Sequence, residues 1–267
     1  PSPRAGVPGA GGVVMAAFRF LRGQAVAPLR LRAFVIAFAG CGIALFASTW
    51  KLWTPQSAFP QVPVIASIGA LPNAVDWIAF AGVVATMTGS VLSCLARLFR
   101  NETAEQQGEL SVTQRTMLFT FSICCAVLFL LDQQRLQPWA FQFAIFAIVL
   151  SSLPARRAFV LLRLIVVSIY FWSALAKFDD SFLATQGQQF LSAVMGLLGT
   201  STNGWSPENR HIAALVFPAA EMMIAIGLCF PLHRIAWLRP GVLTLIVATH
   251  GVLILSLSPL GLNHEPA

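Results

Sequence analysis

The stretch "IVVSIYFWSALAKFDDSFL", residues 165–183, sets the terms for the whole chain. An apolar run closes on Lys177, Asp179 and Asp180 follow, and apolar residues then resume. A helix of about 20 apolar residues matches the ~30 Å hydrocarbon core of a bilayer. Such runs recur along the 267 residues, of which 57% are hydrophobic and 10% charged. Soluble domains carry roughly 25% charged residues. In lipid, each backbone N–H and C=O must be paired within its own segment, and these runs lack the alternation of a barrel. The chain therefore reads as all-α, a polytopic transmembrane helical bundle.

Seven membrane segments are expected, at about 31–50, 75–99, 116–131, 139–153, 159–177, 212–230 and 238–257. Two of them, 116–131 and 139–153, are short for a full span, which tilt or local thinning would accommodate. Pro138 belongs at the first position of its helix, where its missing N–H has no partner to lose.

The loops sort by charge. Residues 1–32 hold five Lys and Arg, 97–115 three, 154–163 three and 231–239 two, thirteen of the seventeen in the chain. The opposite loops hold Lys51, Arg135, Lys177 and Arg210. The positive-inside rule then predicts a cytoplasmic N-terminus, with "DQQRLQP", the 177–211 loop and the C-terminal residues outside. Residues 1–30 read as a basic cytoplasmic segment and 31–265 as a single transmembrane domain. Residues 1–14 have a loop composition, and Met15 is a candidate start, so 1–14 are expected to be non-native. The chain is expected to continue past Ala267, since it stops just after an apolar run.

The net charge of +7 is the topological bias of these loops. No basic run interleaved with aromatics offers a nucleic-acid surface. The five cysteines all lie in apolar runs, with no C-x-x-C and no zinc spacing, and read as packing residues. Within 177–211, Leu183, Phe190, Leu191, Val194, Met195 and Leu198 recur at helical spacing among glutamines. This predicts an interfacial amphipathic helix on the outer surface.

Ionisable residues in membrane helices or at their ends are functional candidates. Tyr170, Ser173, Ala174 and Lys177 share one helical stripe. Lys177 either snorkels to the headgroups beside its acids or turns into the bundle, where a partly desolvated amine can act as a base. Glu221 lies about nine residues into its helix, roughly 14 Å at 1.5 Å per residue. At that depth it must be protonated, paired or beside water, or it is a structural hydrogen bond to another helix. His250 is either satisfied by a backbone carbonyl or in contact with Glu221. His264 and Glu265 follow it. Asp132 and Arg135 read as an exposed pair across their turn, contributing little. Trp139 and Trp205 read as interface aromatics. No nucleophile elbow, zincin, Walker or dinucleotide pattern is present.

The segment "YFWSALAKFDDSF" resembles the membrane domain of vitamin K-dependent γ-carboxylases and their bacterial relatives, the horizontally transferred transmembrane (HTTM) family. Tyr170, Ala174, Lys177, Asp179 and Phe182 stand at the pattern's places. More weakly, "LLDQQRLQPWAFQF", "PAAEMMIAIGL" and "ATHGVLILSLSPLG" are similar to its other helices. The small DoxX and MauE membrane families share the general pattern. The resemblance implies a bacterial inner-membrane protein with an outward-facing site for a quinone such as reduced vitamin K, or another lipid-soluble molecule, and for an extracytoplasmic peptide. Lys177 would be the base, with Tyr170, Glu221 and His250 around it. Three features depart from the family: "DQQRLQPW" contains no histidine, Phe182 stands where a Trp is expected, and these residues include no β-rich peptide-binding domain. The other reading is a non-catalytic DoxX/MauE-like subunit or maturation factor, in which the polar residues hold the bundle together.

Overall fold

The structure is a computed structural model that describes residues 28–56, 60–98, 109–230 and 238–257. Among these every regular element is helical. Six helices are long and apolar enough to cross a bilayer, and a seventh apolar helix, Pro138–Ser152, is shorter. The protein is an integral membrane protein built as an all-α bundle. His264 and Glu265, the residues before 28 and residues 231–237 lie outside the described residues.

The helices are α1 (Pro28–Ser48), α2 (Trp50–Trp53), α3 (Ala74–Leu98), α4 (Val112–Leu131), α5 (Pro138–Ser152) and α6 (Ala155–Lys177). They continue as α7 (Asp180–Ala184), α8 (Gln186–Leu197), α9 (Pro207–Ala214), α10 (Val216–Cys229) and α11 (Leu238–Leu257). The chain forms two compact units, residues 1–162 and 163–267, with the boundary inside α6.

In the first unit, α1, α3, α4 and α5 pack in sequence-adjacent pairs. Small residues set the spacing. Ala140, Ala144 and Ala147 are buried along α5, and the Ser122 hydroxyl donates to the Ala144 carbonyl at 2.9 Å. Close backbone approach through small residues is the usual basis of helix packing in lipid. Aromatic rings fill the wider gaps. Phe46 lies 4.6 Å from Trp53 and 5.1 Å from Trp139, and Phe38 stacks on Phe143 at 4.9 Å. Trp139 is thus also a packing residue.

Helix α4 is longer than its apolar run, since it begins at Val112 instead of 116 and has 20 residues. Ser111 accepts from the Gln114 N–H at 3.2 Å, and the Gln114 side chain accepts from the Ser111 N–H at 3.1 Å. This reciprocal cap starts the helix a turn early, through polar residues that hydropathy alone assigns to a loop. Arg97 then makes those polar residues tolerable inside, donating to the Gln114 amide oxygen at 2.9 Å. Pro138 does open α5.

In the second unit, the predicted amphipathic stretch forms two helices, α7 and α8, broken at Thr185. Gly199, at φ +70°, ends the second of them. Phe182, Phe190 and Phe217 form a chain of rings with centroids 6.4 and 5.8 Å apart. The next span covers Pro207–Cys229, starting earlier than the 212 expected from hydropathy. Ser206 caps it by accepting from the Asn209 N–H at 3.2 Å. It breaks at Leu215 into α9 and α10. Pro218 accounts for the break, because it lacks the N–H that would reach the Ala214 carbonyl and its ring crowds that carbonyl. Helices α10 and α11 meet at Gly227, where a Cβ would stand 2.5 Å from Val242 Cγ2. Large apolar residues such as Trp172, Val247 and Ile254 are more than half exposed. These are the surfaces that bilayer lipid covers.

Candidate functional site

The described part of α6 in the second unit carries three polar side chains at seven-residue intervals: Arg163, Tyr170 and Lys177. Seven residues are close to two helical turns, so all three project from one stripe. Each reaches a different point on the neighbouring helices. Arg163 donates to the carbonyls of Leu228 and Phe230, the free acceptors at the C-terminus of α10. The Tyr170 hydroxyl and His250 Nε2 on α11 are 3.3 Å apart. Lys177 forms an ion pair with Glu221 Oε1 on α10 and donates to the Ser173 hydroxyl at 3.0 Å.

Lys177 is therefore directed into the bundle, the second of the two readings its position allowed. Ala174, one turn back on the same stripe, is fully buried, which leaves room for the lysine stem to fold toward α10. The Glu221 side chain is 9% exposed and that of Lys177 28%. Glu221 Oε2 is buried without a hydrogen-bond partner among the described residues. A buried carboxylate oxygen with no donor is costly to keep. It is the one place in this cluster where an acceptor faces no donor. The ammonium has three N–H groups, of which two have partners here, so a donor and an acceptor stand side by side.

His250 does not pair with Glu221. Its Nδ1 lies 3.0 Å from the Ile246 carbonyl one turn back. A carbonyl only accepts, so Nδ1 carries the proton, and in the neutral ring Nε2 accepts from the Tyr170 hydroxyl. The rings meet edge to face with centroids 5.9 Å apart. Tyr170 and Lys177 stand two turns apart on α6, which puts the two polar contacts on one stripe. The structure thus brings together all four residues singled out in the sequence, as two pairs. It adds Ser173 as the second lysine partner and Arg163 as the third rung. The recurrence of a polar residue every seventh position of α6 was the legible signal for Arg163.

Asp179 and Asp180 take no part. Asp180 is almost fully exposed and lies 3.6 Å from the His211 ring. Among the described residues no group of His, Cys, Asp or Glu is arranged to hold a metal ion.

The Asp132–Arg135 pair is not an exposed surface contact. Arg135 is fully buried, and its closest carboxylate belongs to Asp76 of α3, with Asp132 at 3.9 Å. Asp76 escaped notice because it opens a helix, where an acid is ordinarily a cap or dipole partner.

No family model, no curated protein and no solved structure matches this chain.

Proposed function

We propose that the second unit carries an outward-facing site for a lipid-soluble molecule bearing an acidic hydroxyl, centred on Lys177 and Glu221. The observation that carries this reading is the buried ion pair with one unpartnered carboxylate oxygen. A hydroxyl is both donor and acceptor, so it would complete both groups at once, donating to Oε2 and accepting the third N–H of Lys177. In the ion pair the lysine already holds its proton. Glu221 Oε2 is then the atom that takes a proton from the ligand, and the ammonium stabilises the oxygen left behind. Tyr170 and His250 would line the path toward α11, with His250 held in one tautomer by Ile246. The excess of Lys and Arg in alternate loops supports an extracytoplasmic position for the end of α6 and a cytoplasmic N-terminus. The resemblance to the HTTM and vitamin K-dependent γ-carboxylase membrane domains supports a quinol as the ligand, in a bacterial inner membrane. Carboxylase-like or other quinone-linked chemistry is the activity that would follow.

The test is photo-crosslinking of the reconstituted protein with a diazirine-bearing naphthoquinol. Saturable labelling of α6, α10 or α11 that is lost in Lys177→Met and Glu221→Gln is the expected result. Equal labelling in both folded variants would sink the proposal.

A second reading has its own support. Lys177, Tyr170 and Arg163 each have a partner on another helix, which is also how polar residues hold a bundle together. In that case the protein is a non-catalytic membrane subunit or assembly factor of the DoxX/MauE kind. The variants would then lose helix packing and show no ligand effect.

A further inference from the structure

The first unit carries a separate polar constellation at one end of its helices. Asp76 and Asp132 are 2% and 6% exposed, and both lie near the single guanidinium of Arg135. Arg135 Nε also donates to the Leu52 carbonyl at 3.0 Å. Two buried carboxylates against one cation leave one negative charge over, on Asp132, whose Oδ1 accepts from the neutral backbone N–H groups of Gln134 at 3.1 Å and Val62 at 3.5 Å. Such a charge is costly unless something else compensates it.

Asp132 borders a cleft of about 350 Å³, whose other walls include Lys51, Gln56, Gln61 and Gln134. That volume is at the small end of ligand sites. The amide N–H groups of Gln56 and Gln61 are already engaged, on the Lys51 carbonyl at 2.8 Å and on Asp76 at 3.2 Å. Their oxygens remain as acceptors. Lys51 is exposed in α2 and pairs with no carboxylate among the described residues. The cleft therefore offers an anion with amide acceptors and, separately, a cation. Among the described residues that line it, none is aromatic.

Its depth in the membrane is marked by tryptophan. Trp50 opens α2, Trp77 follows Asp76 in the first turn of α3, and Trp139 is second in α5. Trp50 and Trp77 are about half exposed. Tryptophans at helix ends sit at the headgroup level.

We infer that this cleft binds the zwitterionic headgroup of a bilayer lipid that carries a primary ammonium, a phosphoethanolamine. The ammonium would meet Asp132 and the glutamine oxygens, completing the charge of the buried cluster, and the phosphate would meet Lys51. A primary ammonium has three N–H donors for such acceptors. A quaternary ammonium has none and is recognised by aromatic faces, which the described lining of this cleft does not provide.

The test uses the full chain in detergent micelles and native mass spectrometry. The probes are dihexanoyl phosphatidylethanolamine, its N-methyl and N,N-dimethyl forms, the choline analogue, a phosphatidylglycerol and acyl-free phosphoethanolamine. Binding should weaken with each methyl, and the choline lipid should bind at least about tenfold more weakly, the loss of one or more charge-assisted hydrogen bonds. Asp132→Asn should abolish that discrimination. Lys51→Gln should weaken both zwitterionic lipids alike while keeping the discrimination. Gln134→Leu, at an exposed position, should reduce the ethanolamine preference without touching the buried cluster, which covers the case in which Asp132→Asn does not fold. Equal binding of the ethanolamine and choline lipids, or of phosphatidylglycerol, would overturn the inference. Acyl-free phosphoethanolamine binding as tightly as the lipid would overturn its assignment to a membrane lipid.

Discussion

Replacing Lys177 by Met removes the ammonium and leaves the Glu221 carboxylate buried beside apolar residues. Removing one partner of a buried pair costs about 3–5 kcal/mol. The penalty has a ceiling, since the stranded carboxylate can take a proton instead. Protonating an ordinary glutamate at pH 7 costs about 3.7 kcal/mol, from a reference value near 4.3 and ~1.36 kcal/mol per unit. The expected loss at pH 7 is therefore ~3 kcal/mol. Glu221→Gln should cost less, ~1–2 kcal/mol, because the lysine side chain is three times as exposed as the glutamate (28% against 9%) and its stem reaches toward water. The double variant strands neither charge and should lose no more than about 1–2 kcal/mol, giving a coupling of ~2–3 kcal/mol. Equilibrium unfolding in SDS at pH 7, followed by circular dichroism, measures all of these. Additive single variants, or a Lys177→Met deficit below about 1 kcal/mol, would show that the pair is not buried as described.

Arg135→Met should be the most damaging single change in the first unit, at least ~3–5 kcal/mol, because it strands Asp76 at 2% exposure; loss of folded protein on size exclusion, restored in part by adding Asp76→Asn, checks it. Gly227→Ala should cost ~1–3 kcal/mol by driving a methyl into Val242, and the added change Val242→Ala should recover most of it in the same unfolding assay. Tyr170→Phe should cost only ~0.5–1.5 kcal/mol, the value of one hydrogen bond to His250, yet its naphthoquinol labelling should fall if the two pairs form one site. Ser111→Ala should cost ~1 kcal/mol by removing the cap that starts α4, measurable as a lower thermal midpoint.

What could be read from the sequence alone was whatever depends on residues close together in the chain. The apolar runs announced the membrane helices, since each must satisfy its own backbone and present an apolar surface to lipid. Pro138 marked the start of α5, and helical spacing put Tyr170, Ser173, Ala174 and Lys177 on one stripe. Even local rules were decided by more than hydropathy where polar atoms had partners. The Ser111 cap carried α4 a turn into polar residues, and Pro218 split a continuous apolar span at Leu215. The partners themselves came only from tertiary structure. Nothing in the spacing of Glu221 chooses Lys177 over His250, and nothing in "DQQRLQP" shows that Arg135 turns inward to an aspartate 59 residues earlier. An ionisable group in a membrane protein must find an opposite charge or a donor wherever packing brings one, and that neighbour is set by how helices distant in sequence lie against each other.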